Sequence, residues 1–137
     1  MGLIRAELSH ANARRSDLSP MTVSALADTG ALHLCIPQHV ALQLALETLE
    51  TREVTIADGT KHRVPYVGPI SVKFANRTCF TGAMVLGGEV LLGAIPMEDL
   101  DLVLRPATQD VSVNPKNPNI PASIAMGMRA AQRDSNP

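Results

Sequence analysis

The chain has 137 residues, 45% of them hydrophobic, and a formal net charge of -1 from 12 basic and 13 acidic side chains. This length suits one domain with tails, and the scattered charges provide no basic patch for a nucleic acid or an anionic membrane. No apolar stretch approaches the roughly 18 residues of a membrane span and no signal sequence begins the chain, so we expect a soluble cytoplasmic protein.

The first third of the sequence predicts strands and one helix. Residues 3–8 and 21–27 are rich in apolar residues and flank a polar loop, which is typical of two strands. A third apolar run covers residues 31–36. Pro37 then suits the first turn of a medium-length helix, and the segment "QHVALQLAL" behind it has helical composition.

Two β-hairpins are predicted next. Residues 53–67 form two β-prone arms around Asp58 and Gly59, a dipeptide that favours a type I′ turn. Residues 70–86 alternate apolar and polar side chains on either side of a turn at 75–77, which predicts a second hairpin.

Further along, residues 90–93 predict a short strand, residues 96–100 a short helix and residues 102–106 another short strand. No alternation of strands and helices typical of a parallel sheet occurs. Closely spaced short strands with one medium and one short helix predict a mainly β fold, a small closed or partly closed β-barrel.

We expect the folded domain to span residues 1–106. Residues 107–121 are rich in proline and asparagine, so we expect an extension without internal sheet that is a candidate for dimer contacts. Residues 122–137 are expected to form a tail that is either disordered or a frayed helix.

The remaining composition limits the chemistry. One tyrosine, two phenylalanines and no tryptophan imply an aliphatic core. Cys35 and Cys79 are expected to be buried thiols, although a disulfide between them stays open. The histidines have no metal-ligand spacing, so we assign no metal site and no cofactor; they are residues 10, 33, 39 and 62.

The tripeptide Asp28-Thr29-Gly30 interrupts an apolar run. It could be an ordinary turn, because all three residue types favour turns. Its apolar flanks, however, predict a buried turn, and a buried carboxylate needs a partner or a catalytic role. Two such carboxylates on a two-fold axis could share a proton and act as general acid and base.

Here the residues resemble a known family. The segment "ALADTGA" followed by "LHLCIP", the two hairpins and "VLLGAIPMEDLDL" are similar to retropepsin-like aspartic proteases, including small bacterial members, over residues 21–105. The resemblance implies a closed β-barrel, an obligate homodimer, an extended peptide or protein substrate and peptide-bond hydrolysis.

It also implies the roles of individual residues. Asp28 would be catalytic, and the active-site loop would be supported by Thr29, Gly30 and Ala31. A flap over the substrate would consist of Ile56, Ala57, Asp58 and Gly59. A second motif near the site would consist of Leu91, Leu92 and Gly93.

Two positions differ from viral members of that family. Leu32 and Ala94 stand where those members often carry an acid and an arginine, so that ion pair is absent. The alternative function is a catalytically weak or inactive dimeric peptide-binding or scaffolding module with the same fold, because fold alone does not establish chemistry.

Overall fold

The structure is a computed structural model that describes residues 3–128. Within that range the strands are Arg5–Asn12 (β1), Met21–Ala27 (β2), Cys35–Ile36 (β3), Glu47–Thr55 (β4), Lys61–Phe74 (β5), Arg77–Val85 (β6), Val90–Leu92 (β7), Leu102–Arg105 (β8) and Asp110–Val113 (β9). The helices are Gln38–Gln43 (α1) and Ala94–Asp99 (α2). Neither they nor any other helix in this part of the chain is long and apolar enough to cross a membrane.

Six strands form a closed barrel. Their order is β1-β2-β7-β3-β6-β5, and β5 pairs back with β1. The β2–β7 and β3–β6 pairs are parallel, and the other pairs of the barrel are antiparallel. Strand β4 pairs with β5 outside the closed ring and leaves one edge of the sheet open. The structure thus confirms the prediction of a mainly β fold with a closed barrel.

The barrel interior is filled by aliphatic side chains, as the composition predicted. Burial alternates along β1, because successive side chains of a strand point to opposite faces. The fully buried aliphatic residues include Leu8, Leu34, Ile36, Leu44, Ile70, Val72, Leu92 and Leu100.

Strand β1 is longer than predicted, because the inward alternation continues through two polar residues. His10 and Asn12 both point into the barrel and are buried. The Asn12 amide donates hydrogen bonds to the carbonyls of Leu44 (2.9 Å) and Ala45 (3.2 Å), just beyond α1. Helix α1 is shorter than predicted because Ala45 has a left-handed backbone, with φ of 52°.

Both predicted hairpins are confirmed, and they share the long strand β5. The turn type predicted for the first one is wrong. Gly59 donates its N–H to the Ile56 carbonyl at 2.9 Å, and Ile56 and Thr60 close the loop at 3.0 Å. Gly59 has positive φ, and Asp58 does not. The tip is therefore a three-residue loop ending in a left-handed glycine.

The region beyond Pro106 contains a strand, contrary to the prediction. Strand β9 pairs with β8, and the prolines of this region come after it, at positions 115, 118 and 121. The chain then packs against Asp101, whose carboxylate accepts hydrogen bonds from the side chains of Asn114 and Asn117 and from the Ala122 N–H at 2.9 Å. These hydrogen bonds, chiefly the one from Ala122, lower the pKa of Asp101.

The predicted tail at 122–137 is described only in part. Residues 122–128 are exposed and form no helix, and residues 129–137 lie outside the described residues.

Two buried cationic or titratable side chains lie in the core without full hydrogen bonding. His10 is fully buried and neither ring nitrogen has a partner. Arg77 is also fully buried; one terminal nitrogen donates to the Asn117 carbonyl, and its Nε and other terminal nitrogen have no partner. Burial lowers the pKa of His10 to about 4, because the protonated ring cannot be solvated there.

We expect His10 to make the fold sensitive to acid. Between pH 6.5 and 4 the unfolded imidazole binds a proton and the folded one does not, so unfolding becomes easier as the pH falls. The full shift corresponds to about 3 kcal/mol. His10→Leu should remove this part of the pH dependence, measured by urea unfolding at pH 7, 5.5 and 4.

The exposed His39 provides the control, since His39→Gln should keep the pH dependence of the wild type. Identical slopes of unfolding free energy against pH in wild type and His10→Leu would contradict the prediction.

Candidate active site

Asp28 lies at the end of β2, next to the second predicted motif. Ala25, Leu26 and Ala27 pair in parallel with β7. The Asp28 N–H continues this ladder by donating to the Leu92 carbonyl at 3.0 Å. The two motifs are thus neighbouring strand ends, because parallel strands in register finish at the same edge of a sheet.

The carboxylate of Asp28 is anchored by its own turn. Its Oδ1 accepts the Gly30 N–H at 2.9 Å, and its carbonyl accepts the Ala31 N–H at 3.1 Å. Such a local side-chain bond stabilises a turn without secondary-structure pairing.

The prediction that this turn is buried is wrong for the single chain. Asp28 is half-buried, whereas Thr29 and Gly30 are exposed. The reason is that the apolar flanks enter the barrel, while the turn itself sits where β2 leaves it. Asp28 therefore faces the surface of one chain.

The segment after the turn is held by the start of α2. The N–H groups of Ala94 and Ile95 donate to the carbonyls of Ala31 and Leu32, both at 2.9 Å. This contact occupies the backbone of residues 31–32 and explains why the strand predicted at 31–36 is limited to β3.

Gly93 permits this crossing. A Cβ at this position would overlap the His33 carbonyl and lie 2.8 Å from the His33 nitrogen, both backbone atoms. Only a residue without a side chain allows such close approach. The two motifs consequently form one rigid unit, with Asp28 at its edge.

A cleft of about 600 Å³ opens beside this unit, between the Asp28 turn and the first hairpin. The cleft is mostly apolar, which suits side chains of an extended ligand. Its lining residues are Asp28, Gly30, Ala31, Leu32, His33, Cys35, Val54, Thr55, Ile56, Ala57, Met84, Leu86 and Leu91.

The structure brings together only part of the predicted site. Ile56 and Ala57 of the first hairpin line the cleft, whereas Asp58 and Gly59 lie at the exposed tip outside it. The Asp58 carboxylate instead accepts the Thr60 N–H (2.8 Å) and hydroxyl (2.6 Å), and these bonds lower its pKa.

The second motif also contributes only part of its residues to the cleft. The Leu91 side chain lines the cleft, while Leu92 is buried in the core and contributes its carbonyl to Asp28. Gly93 acts through the backbone contact with His33.

Sequence reasoning missed several lining residues because they come from separate strands. Val54 and Thr55 immediately precede the predicted hairpin contacts, and Met84 and Leu86 end the second hairpin. The alternation of β6 gave no signal for Met84, because Met84 falls in the same alternate set as the exposed Thr78 and Phe80 and is nevertheless buried.

The pKa values of two further side chains in the cleft are shifted by their surroundings. Burial, and to a smaller extent the Asp28 charge, raises the pKa of the Cys35 thiol. Burial and the nearby Arg52 charge lower the pKa of His33. Both cysteines are free, and burial raises the pKa of Cys79 to about 12, so both thiols are protonated at neutral pH.

No group of three or more His, Cys, Asp or Glu side chains within residues 3–128 is arranged to hold a metal ion. The site of one chain thus offers a single anchored carboxylate beside an apolar cleft. Acid–base chemistry between two carboxylates would need a second chain.

Gly93→Ala tests the contact between the two motifs. We expect it to destabilise the fold by about 1–3 kcal/mol or more, because the added methyl group meets backbone rather than a movable side chain. The measurement is the midpoint of urea unfolding. Gly88→Ala is the matched control, since an added Cβ there has no neighbour within 4 Å. Equal midpoints for the two variants would refute the expectation.

No protein-family model matches the chain, and no curated protein matches it significantly. A functional assignment therefore depends on the geometry of this site and on the sequence motifs that build it.

Proposed function

We propose that the protein is a homodimeric aspartic endopeptidase of the retropepsin-like type. The observation that carries the proposal is the Asp28 turn, which is anchored through Gly30 and β7 and borders an apolar cleft. In the dimer, Asp28 of each chain supplies one carboxylate of a shared pair.

The pair performs general acid–base catalysis. Two carboxyl groups about 3 Å apart cannot both be ionised, so they hold one proton between them. The ionised group removes a proton from a water molecule, which attacks the peptide carbonyl, while the other group protonates the carbonyl oxygen. The first group then donates the proton taken from water to the amide nitrogen, the C–N bond breaks, and a hydroxyl of the tetrahedral intermediate returns its proton to the second group, so the pair again holds one proton. The Gly30 N–H holds Oδ1 of each carboxylate in place.

The surface around Asp28 supports the homodimer. Thr29 and Gly30 are exposed, and beside them Leu32 and Ile95 expose 59% and 44% of their surface. Leu32 and Ile95 are neighbours through a backbone hydrogen bond, and we call these two exposed residues the apolar patch; Leu32 also borders the cleft. A two-fold axis through this patch brings both Asp28 side chains together and covers it.

The first hairpin supports an extended peptide as the substrate. It extends from the open edge of the sheet, and Ile56 and Ala57 line the cleft below its tip. An edge strand can pair with an extended chain, and a closing hairpin excludes water from the reaction.

Asp28→Asn tests the chemistry. We expect the rate of cleavage of a mixed peptide library to fall at least about a thousandfold, because the neutral amide cannot act as base. Cleavage sites are identified by mass spectrometry at pH 4–7, with unchanged circular dichroism as the folding control. If wild type binds peptides and cleaves none at any pH, the protein is a peptide-binding module; cleavage that persists in Asp28→Asn excludes Asp28 as the catalytic group.

Ile95→Lys tests the dimer. A lysine in the apolar patch should shift the protein to monomers in sedimentation velocity and reduce peptide cleavage, since the site would be incomplete. Leu42→Lys is the control, because Leu42 is 70% exposed on α1 and lines a different cavity. A wild type that stays monomeric at high concentration, or an Ile95→Lys dimer as stable as the control, would argue against this interface.

A further inference from the structure

His33 differs from the other residues that line the cleft. Apart from Asp28 and the protonated Cys35 thiol, it is the titratable side chain in a lining that otherwise consists of apolar residues, glycine and Thr55. It is half-buried, and none of the hydrogen bonds found within residues 3–128 involves its ring. A polar group of this kind is available to a ligand.

The backbone of His33 is rigidly placed. Gly93 packs directly against its carbonyl and nitrogen, and the preceding Leu32 carbonyl accepts the Ile95 N–H. The following Leu34 carbonyl accepts the Met84 N–H at 2.9 Å. Contacts on both sides therefore fix where the imidazole enters the cleft, as a residue that selects ligands requires.

Arg52 and Glu50 form an ion pair on β4. The Arg52 guanidinium stacks over the Tyr66 ring at 3.7 Å and pairs with Glu50 at 2.7 Å. Tyr66 packs against the small cluster of Cys35, Val64 and Met84, and Cys35 and Met84 also line the cleft. Burial, and to a smaller extent the Arg52 charge, lowers the pKa of His33 and so disfavours its protonation.

We propose that His33 is a specificity-determining residue that selects a substrate carrying an aspartate or glutamate side chain at the position facing it, among otherwise aliphatic residues. This inference rests on the proposed function. A substrate carboxylate there accepts the imidazole N–H in a charge-assisted hydrogen bond. Acidic side chains nearer the Asp28 pair are disfavoured by like-charge repulsion.

The test uses decapeptides of leucine, valine and alanine in which one glutamate, or one glutamine as its neutral match, is moved through every position. For wild type we expect one position at which glutamate exceeds glutamine in kcat/KM by roughly tenfold, the effect of one hydrogen bond to a charged group. The preference should disappear in His33→Leu and shrink in His33→Gln. His39→Gln, on the exposed surface of α1, should keep it.

The outcomes separate the two proposals. Cleavage by wild type without any position that prefers glutamate, or a preference that survives in His33→Leu, overturns the role of His33 and leaves the peptidase intact. If wild type cleaves nothing, the peptidase fails, and fluorescence anisotropy of the same peptides decides the role of His33. Tighter binding of a glutamate peptide that depends on His33 supports it, and equal binding of the matched peptides overturns it.

Discussion

The close contact between Gly93 and the backbone of His33 determines the geometry of the whole site. It lets the segment after Asp28 pass directly beside the start of α2, where two backbone hydrogen bonds lock Ala31 and Leu32. From this one crossing follow the position of the Asp28 turn, the exposure of the Leu32 and Ile95 patch, and the direction of His33 into the cleft. A side chain at residue 93 would disturb all three, because protein interiors are too densely packed to absorb it.

For the proposed peptidase, the site of a single chain would be incomplete, because it offers one carboxylate where the chemistry needs two. Burying an unpaired carboxylate is costly, and here the Asp28 turn stays at the surface of the chain with one oxygen hydrogen-bonded to Gly30. Association of two copies would bring the turn out of water only when a second carboxylate is present to share a proton. Assembly and formation of the acid–base pair would then be the same event.

The core of the barrel limits how acidic the solution can become before the fold loses stability. Paired carboxylates function where one proton is shared, which favours mildly acidic conditions. The core, however, contains His10, which is neutral when folded and resists protonation. The fully buried and partly unpaired Arg77 adds a further polar group to the interior. Donors left unpaired in the core cost free energy. The C-terminal segment reduces this cost for Arg77, because the Asn117 carbonyl accepts a hydrogen bond from one of its terminal nitrogens. In the proposed peptidase, the lowest working pH would thus depend on the core as well as on the site.

The sequence by itself determined the mainly β class, both hairpins, the two helices and the Asp-Thr-Gly turn, because period-two patterning, turn residues and proline act locally. It could not determine that β1 continues through His10 and Asn12, that a strand follows Pro106, or that the tip at Gly59 is a three-residue loop, since each depends on a partner distant in sequence or on competing local bonds. Only the tertiary structure decided that Asp28 faces the surface and that His33 enters the cleft, because both follow from the packing of α2 against residues 31–33, a contact between segments about 60 residues apart.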